Sequence, residues 1–258
     1  MAFDGITVSA IKAEIEDKIL GGRIDKVYQP EKDEIILGIR SMGQAYKLLL
    51  TSNASTPKFH FTQTTPSNPM TPPLFCMVMR KHLQSGKIIK IEQPDFDRIL
   101  NIYVESLNEL GDYSVKKLVL EIMGRHSNII LLNQQNFIID SLRHLDQSSH
   151  SSRDILPAHE YYFPQNEKKS FLDLSSFNEF YSIIETEAFS SPLENLIVTH
   201  FIGFSYPFVQ YMIEFLNITP TSYTLEDLKL CYHYIQDIIL YIKTNRVSLI
   251  PYINKKEK

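Results

Sequence analysis

RIDKVYQPEKDEIILGIRSMGQAYKLLLTS, residues 23–52, decides the fold class of the first half of this chain. Within it, 23–29, 34–40 and 45–52 carry alternating or β-branched patterns, with Ile35, Leu37 and Ile39 on one face and Tyr46, Leu48 and Leu50 in phase. Polar turns at Glu31-Lys32-Asp33 and Met42-Gly43-Gln44 separate the runs. Three short strands joined by turns this tight predict an antiparallel meander. Immediately before it, Val8, Ile11, Ile15 and Ile19 recur at helical spacing, with Asp4 placed as N-cap and Gly21-Gly22 as the stop.

Outward from the meander, residues 52–72 are rich in Ser, Thr, Pro and Asn and read as a connection. Pro72-Pro73 open a helix through PLFCMVMRKHLQ, which Gly86 is expected to end. A second set of strands is predicted at 87–93, 98–105, 115–123, 128–132 and 136–141, with Asn133-Gln134-Gln135 as a hairpin turn. The polar run 147–154, then Pro157, Pro164 and QNEKKS, breaks this pattern and places a boundary near 165–172. Beyond it the spacing turns helical: Phe177, Phe180, Ile183 and Ile184, then Leu193, Leu196 and Ile197, then Leu228, Ile235, Ile238 and Ile242 behind a capping pair Thr224/Asp227. The expected class is α+β, with a β-rich domain at 1–170, an all-α domain at 171–250 and the start of a further segment at 251–258.

A chain of 258 residues, 43% hydrophobic, can bury one large core or two smaller ones. Its net charge of −4 argues against a uniformly basic nucleic-acid coat and leaves room for a local basic patch. Cys76 and Cys231 make neither a disulfide framework nor a zinc site. No basic start precedes an apolar run and no stretch reaches membrane-spanning length, so a cytoplasmic protein with no membrane partner is expected. The eight histidines, at 60, 82, 126, 144, 150, 159, 200 and 233, are scattered, with no HExxH, nucleophile elbow or P-loop. His144-Leu145-Asp146 beside the serines at 148, 149, 151 and 152 lacks any oxyanion device. No catalytic residue, metal or cofactor is expected, and the chain is read as not an enzyme.

Charged residues at strand entrances are poor core material, which singles out two segments. In QPDFDRIL, Asp97 and Arg98 fall at a turn between strands, where a tight bend holds them at the sheet rim. An arginine there can grip a phosphate or stack on a base, while the carboxylate orients it or accepts from a base amino group or ribose hydroxyl. From the dipeptide alone, a solvated turn closed by a local ion pair is the favoured reading. In EIMGRHSN, 121–128, parity puts Leu118, Leu120 and Ile122 on one face and Glu121 and Met123 on the other, with Gly124 permitting a bend. Glu121, Arg125, His126, Ser127 and Asn128 are candidate RNA contacts. The plainer reading makes Gly124 a bulge, pairs Glu121 with Lys117 or Arg125, and leaves His126 on the surface. In HFIGFSYPF, 200–208, Gly203 and Pro207 sit between two helices. A helix-hairpin-helix there would offer backbone N–H groups to a phosphate, with Gly203 and Ser205 as contacts. Ser205 stands where such hairpins carry a second glycine, so a purely structural αα-hairpin is the alternative.

Taken together, FDG at 3–5, GGRI at 21–24, PPLFCMVMRKHL at 72–83, IEQPDFDRIL at 91–100 and EIMGRHSNIIL at 121–131 resemble the N-terminal module of the NFACT family. Its bacterial members are called RqcH or fibronectin-binding protein A-like, and NEMF is a eukaryotic relative. The resemblance covers almost the whole chain. It implies a role in ribosome quality control: binding a large ribosomal subunit obstructed by peptidyl-tRNA and recruiting alanyl-tRNA for template-free C-terminal alanine tailing. It also implies that Asp97 and Arg98 engage tRNA, that EIMGRHSN recurs in the same module, and that a domain like the N-terminal part of formamidopyrimidine-DNA glycosylases precedes a helix-hairpin-helix domain. Family members continue into a coiled-coil arm and an RNA-binding domain, so a piece ending at Lys258 is expected to bind tRNA weakly and not to tail. Two other classes compete with this one. A glycosylase needs an N-terminal proline amine where this chain reads Met1-Ala2-Phe3. A fibronectin-binding adhesin, implied by the second family name, needs an export signal, so fibronectin is at most a secondary partner.

Overall fold

A computed structural model describes residues 3–64, 66–108, 110–146 and 153–244. The polar run 147–152, with His150 and its serines, and the segment 251–258 lie outside the described residues. Asp4 opens α1 (Gly5–Ile19), its carboxylate accepting from Thr7 N at 2.9 Å and Thr7 Oγ1 at 2.8 Å. Gly21 at φ 79 releases the chain into β1 (Arg23–Tyr28), β2 (Glu34–Ser41), β3 (Gln44–Thr51) and β4 (Lys58–Phe61). The meander therefore forms as its periodicity predicts, with Leu37 opposite Leu48 and Ile39 opposite Tyr46. Its fourth strand lies inside the stretch read as a connection. Four residues are too few for a period to show, and Leu50 of β3 pairs with Phe59 to bury it.

Helix α2 (Leu74–Leu83) leads to β5 (Lys87–Glu92), β6 (Ile99–Leu107), β7 (Tyr113–Glu121), β8 (Asn128–Leu132) and β9 (Ile138–Ser141). Gly86 does not end α2. The turn is made by Ser85 at φ 66, and Gly86 is required because a Cβ there would lie 2.5 Å from Val104 Cγ1. The two sets of strands form one antiparallel sheet in the order β4-β3-β2-β1-β5-β6-β7-β8-β9. The central seam is short, with one register pair, Arg23 opposite Lys87, reinforced by bonds such as Ile88 N to Gly22 O at 2.8 Å. The sheet curls until its ends approach, since Arg143 beyond β9 donates to Ser52 O beyond β3 at 3.0 Å.

The main core fills the concave side, where α1 and α2 lay Val8, Ile15, Ile19, Phe75 and Met79 against inward residues of every strand from β1 to β8. A small cluster on the other face joins Val119, Ile130 and Ile138 to Ile155 and Tyr161. The helical C-terminal part holds α3 (Phe177–Ile184), α4 (Leu193–His200), α5 (Tyr206–Phe215) and α6 (Leu225–Lys243) around Phe171, Phe180, Phe201 and Cys231. Thr224 and Asp227 close a full capping box at the start of α6. Phe96, from the sheet, belongs to this helical cluster. Among the described residues, no helix is long and apolar enough to cross a membrane.

Candidate functional site

Between β5 and β6 the chain turns through Pro94–Phe96, with Asp95 and Phe96 in the left-handed region at φ 49 and 62. Phe96 points into the helical cluster and anchors the turn. Asp97 follows, 8% exposed, its Oδ1 accepting from Arg98 N at 2.7 Å. Gln93 locks the turn by donating to Asp97 O at 2.8 Å and Gly5 O at 2.9 Å. The local ion pair is not formed. Asp97 receives a backbone N–H, and the exposed Arg98 guanidinium has no hydrogen-bond or ion-pair partner among the described residues. A cation held on a rigid turn without an intramolecular anion is available to an external one.

Helix α5 approaches the same place. Gly203, at φ 88, lies so close to the turn that a Cβ would sit 2.5 Å from Phe96 Cδ1, and its carbonyl accepts from Gly5 N at 2.8 Å. Ser205 caps α5, accepting from Phe208 N at 3.4 Å while donating to Asp4 Oδ2 at 2.6 Å. One Asp4–Ser205 contact thus ties together the N-termini of α1 and α5, two positive dipole ends. The N–H groups of Phe204, Ser205 and Tyr206 donate to no protein acceptor among the described residues.

The result is a cleft of about 420 Å³ lined by Arg98 and Asp97, the 54–57 segment, Gly124, Lys168 and the 203–207 loop. Lys168 donates to Val198 O at 2.8 Å. Burial, then the nearby Arg98 charge, pushes its amine below the ordinary lysine range, with Asp97 opposing. Three separately chosen segments, 97–98, 124 and 203–205, meet at this cleft. Sequence reasoning missed Lys168 and the 54–57 segment, for which the charged run QNEKKS and the absence of any period offered no local signal.

EIMGRHSN divides. Gly124 takes φ 57 and starts a single 3₁₀ turn to His126, not a bulge, which leaves Arg125 and His126 exposed. Arg125 Nε donates to His126 Nε2 at 3.0 Å. Ser127 and Asn128 are each 1% exposed and committed inward. Ser127 Oγ accepts from Met123 N at 2.8 Å, and Asn128 bridges to Arg143 through its amide. Glu121, also 1% exposed, pairs with neither Lys117 nor Arg125. Arg153 Nη2 and Tyr161 OH each donate to it at 2.7 Å, on the face turned away from the main core. The strand parity was right and the partner was unreadable, lying 32 positions downstream.

The family described as NFACT N-terminal and middle domains matches residues 4–258. The Rqc2 homolog RqcH of Bacillus subtilis is 44% identical over 208 residues, which are 80% of this chain and 36% of that protein. The RqcH of Streptococcus suis is 42% identical over 165 residues, 64% of this chain and 30% of that protein. Human ribosome quality control complex subunit NEMF is 28% identical over 141 residues, 55% of this chain and 12% of that protein. The N-terminal structure of the fibronectin/fibrinogen-binding protein from Streptococcus suis superposes with TM-score 0.78 at 33% identity, covering 92% of this chain and 85% of that one. The fibrinogen-binding protein from Staphylococcus aureus gives TM-score 0.78 at 27% identity, covering 92% and 82%. The chain spans about a third of the length of its bacterial relatives.

Proposed function

This chain belongs to the NFACT family, and from that premise we propose that its cleft is a tRNA-binding surface serving ribosome quality control. The observation that carries the reading is the convergence on one cleft of Arg98, Lys168 and the start of α5. Cations held in no salt bridge among the described residues, and outward N–H groups, suit phosphate oxygens. Asp97 at the cleft wall supplies an acceptor for a ribose hydroxyl or a base amino group. We read α4 and α5, joined through Gly203, as a helix-hairpin-helix within a helical domain at 171–250, behind a glycosylase-like β-rich domain at 1–170. Arg125 and His126 are an outer contact beyond Gly124. The partners in this reading are alanyl-tRNA and the obstructed large subunit, and the setting is the cytoplasm. The ribosome performs the peptide transfer during alanine tailing, so the chain positions tRNA and catalyses nothing.

Binding of charged tRNA, uncharged tRNA, duplex DNA and fibronectin, titrated over a range of salt with wild type, Asp97→Ala and Arg98→Ala, tests this. Salt-sensitive tRNA binding is expected, and the slope of log K against log salt should become shallower by about one for each phosphate that a variant no longer engages. Equal tRNA binding by all three chains overturns the assignment. The fibronectin arm addresses the second reading, prompted by solved relatives described as fibronectin- or fibrinogen-binding.

A further inference from the structure

β6 starts beside Arg98 and ends at Leu107, so its far end lies about 27 Å from the cleft at the usual rise per residue. A second cavity opens there, of about 580 Å³, between the last turn of α2, the β6–β7 hairpin and the β8–β9 turn. Lys81, His82, Asn108, Tyr113, Lys116 and Asn133 are on its wall. Lys116 projects from the core face of β7 and is 5% exposed. Its ammonium donates to Ser114 Oγ and to Ser106 O, both neutral, and no carboxylate pairs with it among the described residues. Burial alone pushes its amine below the ordinary range. A charge removed from water is ordinarily held by a counter-ion, and none is supplied among the described residues.

The two asparagines complete the pattern. Asn108 Oδ1 accepts from Leu110 N and Asp112 N, both at 2.9 Å. Asn133 Oδ1 accepts in the same way from Gln135 N and Phe137 N, both at 2.9 Å. Each carbonyl is committed to folding its own turn, so only the NH₂ donor of each side chain remains, with no protein acceptor among the described residues. A buried ammonium on β7, an amide donor on the β6–β7 hairpin and another on the β8–β9 turn line one cavity and suit the oxygens of a phosphate. Tyr113 stands at the rim, 73% exposed, where a ring can stack.

We propose that this second cavity is a phosphate site for a nucleotide, with Lys116, Asn108 and Asn133 holding the phosphate and Tyr113 stacking on the base. The nucleotide is either free or one unit of an RNA strand. Calorimetric titration with inorganic phosphate, adenosine monophosphate and a short single-stranded oligouridylate tests it in the wild-type chain and four variants. Asn133→Asp keeps the acceptor that forms the turn and replaces the donor by a negative oxygen. It is therefore expected to stay folded by circular dichroism and to bind all three probes about ten- to hundredfold more weakly. Lys116→Met should do the same, Tyr113→Ala should weaken the nucleotides but not inorganic phosphate, and Lys32→Ala, at an exposed lysine of the β1–β2 turn outside both cavities, should change none of the three. Tighter binding of the oligonucleotide than of the mononucleotide identifies an RNA strand as the source, and the reverse a free nucleotide. Absence of saturable binding by the wild type, binding unchanged in folded Asn133→Asp, or loss of mononucleotide binding in Lys32→Ala would each overturn the proposal.

Discussion

Replacing Glu121 separates scaffold from the proposed RNA-binding surface within EIMGRHSN. Its carboxylate is 1% exposed and accepts one bond from Arg153, 17% exposed, and one from Tyr161, both at 2.7 Å. Burial, then the Glu121 charge, pushes the Tyr161 hydroxyl far above the ordinary tyrosine range, so it donates at every accessible pH. Burial would push the Arg153 guanidinium down, and the Glu121 bond and charge outweigh it. Truncating one partner of a buried pair costs about 3–5 kcal/mol. Arg153 keeps its bond to Tyr162 O at 2.6 Å, so Glu121→Ala belongs near the lower end, about 3 kcal/mol. For a chain of this size that is roughly 6–12 °C in Tm. Glu121→Gln keeps an acceptor for Tyr161 and weakens one bond to a charged group, for about 2 kcal/mol. Urea unfolding followed by circular dichroism measures both, and a cycle with Arg153→Met should return a coupling of about 0.5–3 kcal/mol. Well below the transition, tRNA affinity of Glu121→Gln should match wild type. Unchanged stability together with a loss of tRNA binding as large as that of Arg98→Ala would refute the scaffold role and place Glu121 on the RNA.

Gly203→Ala combines a left-handed φ with a Cβ 2.5 Å from Phe96 and should destabilise by roughly 2–5 kcal/mol in urea, the sum of the strain and overpacking costs. Ser205→Ala removes the α5 cap and the Asp4 partner, so a loss of about 1 kcal/mol is expected, with a partial fall in tRNA affinity. Cys231 is buried and its thiol is pushed up to about 12, burial first and then Asp227, so almost no thiolate exists at pH 8. A disulfide reagent at pH 8 should leave it unmodified in native protein and modify it in denaturant; labelling of native protein at the denatured rate would refute its burial.

The parts legible in the sequence were those with a repeating constraint. Ile35, Leu37 and Ile39 announce β2 because one face of the sheet meets a core, and Thr224 with Asp227 announces α6 because a helix start leaves N–H groups to satisfy. Lys58–Phe61 did not announce β4, since its four residues draw their strand character from β3 beside them. Arg98 was legible as a charge in an odd place, whereas Lys168 was one lysine in a charged run. What makes Lys168 part of the cleft is the docking of its segment onto α4, through Lys169 N to His200 O at 2.8 Å, and no local pattern encodes that. Glu121 shows the limit most sharply: strand parity gave its direction, but its partners come from a loop that returns over the outer face.

The cleft owes its shape to contacts that leave no slack. Gly5 has no room for a Cβ, which would lie 2.2 Å from Phe96 O and 2.6 Å from Gly203 Cα, and Gly203 has none against Phe96. Three backbones, from the start of α1, the 94–96 turn and the α4–α5 loop, therefore touch directly, and Phe96 carries the sheet's turn into the helical core. Arg98 sits two residues after that anchor. Its position relative to α5 is thus set by packing that spans the sheet and the helices, so the cleft should persist only while the helical part stays docked. Gly5→Ala, which touches none of the cleft's cationic groups, should then weaken tRNA binding beyond its effect on global stability. Unaltered affinity in a folded Gly5→Ala chain would mean that Arg98 alone, and not the shared seam, defines the surface.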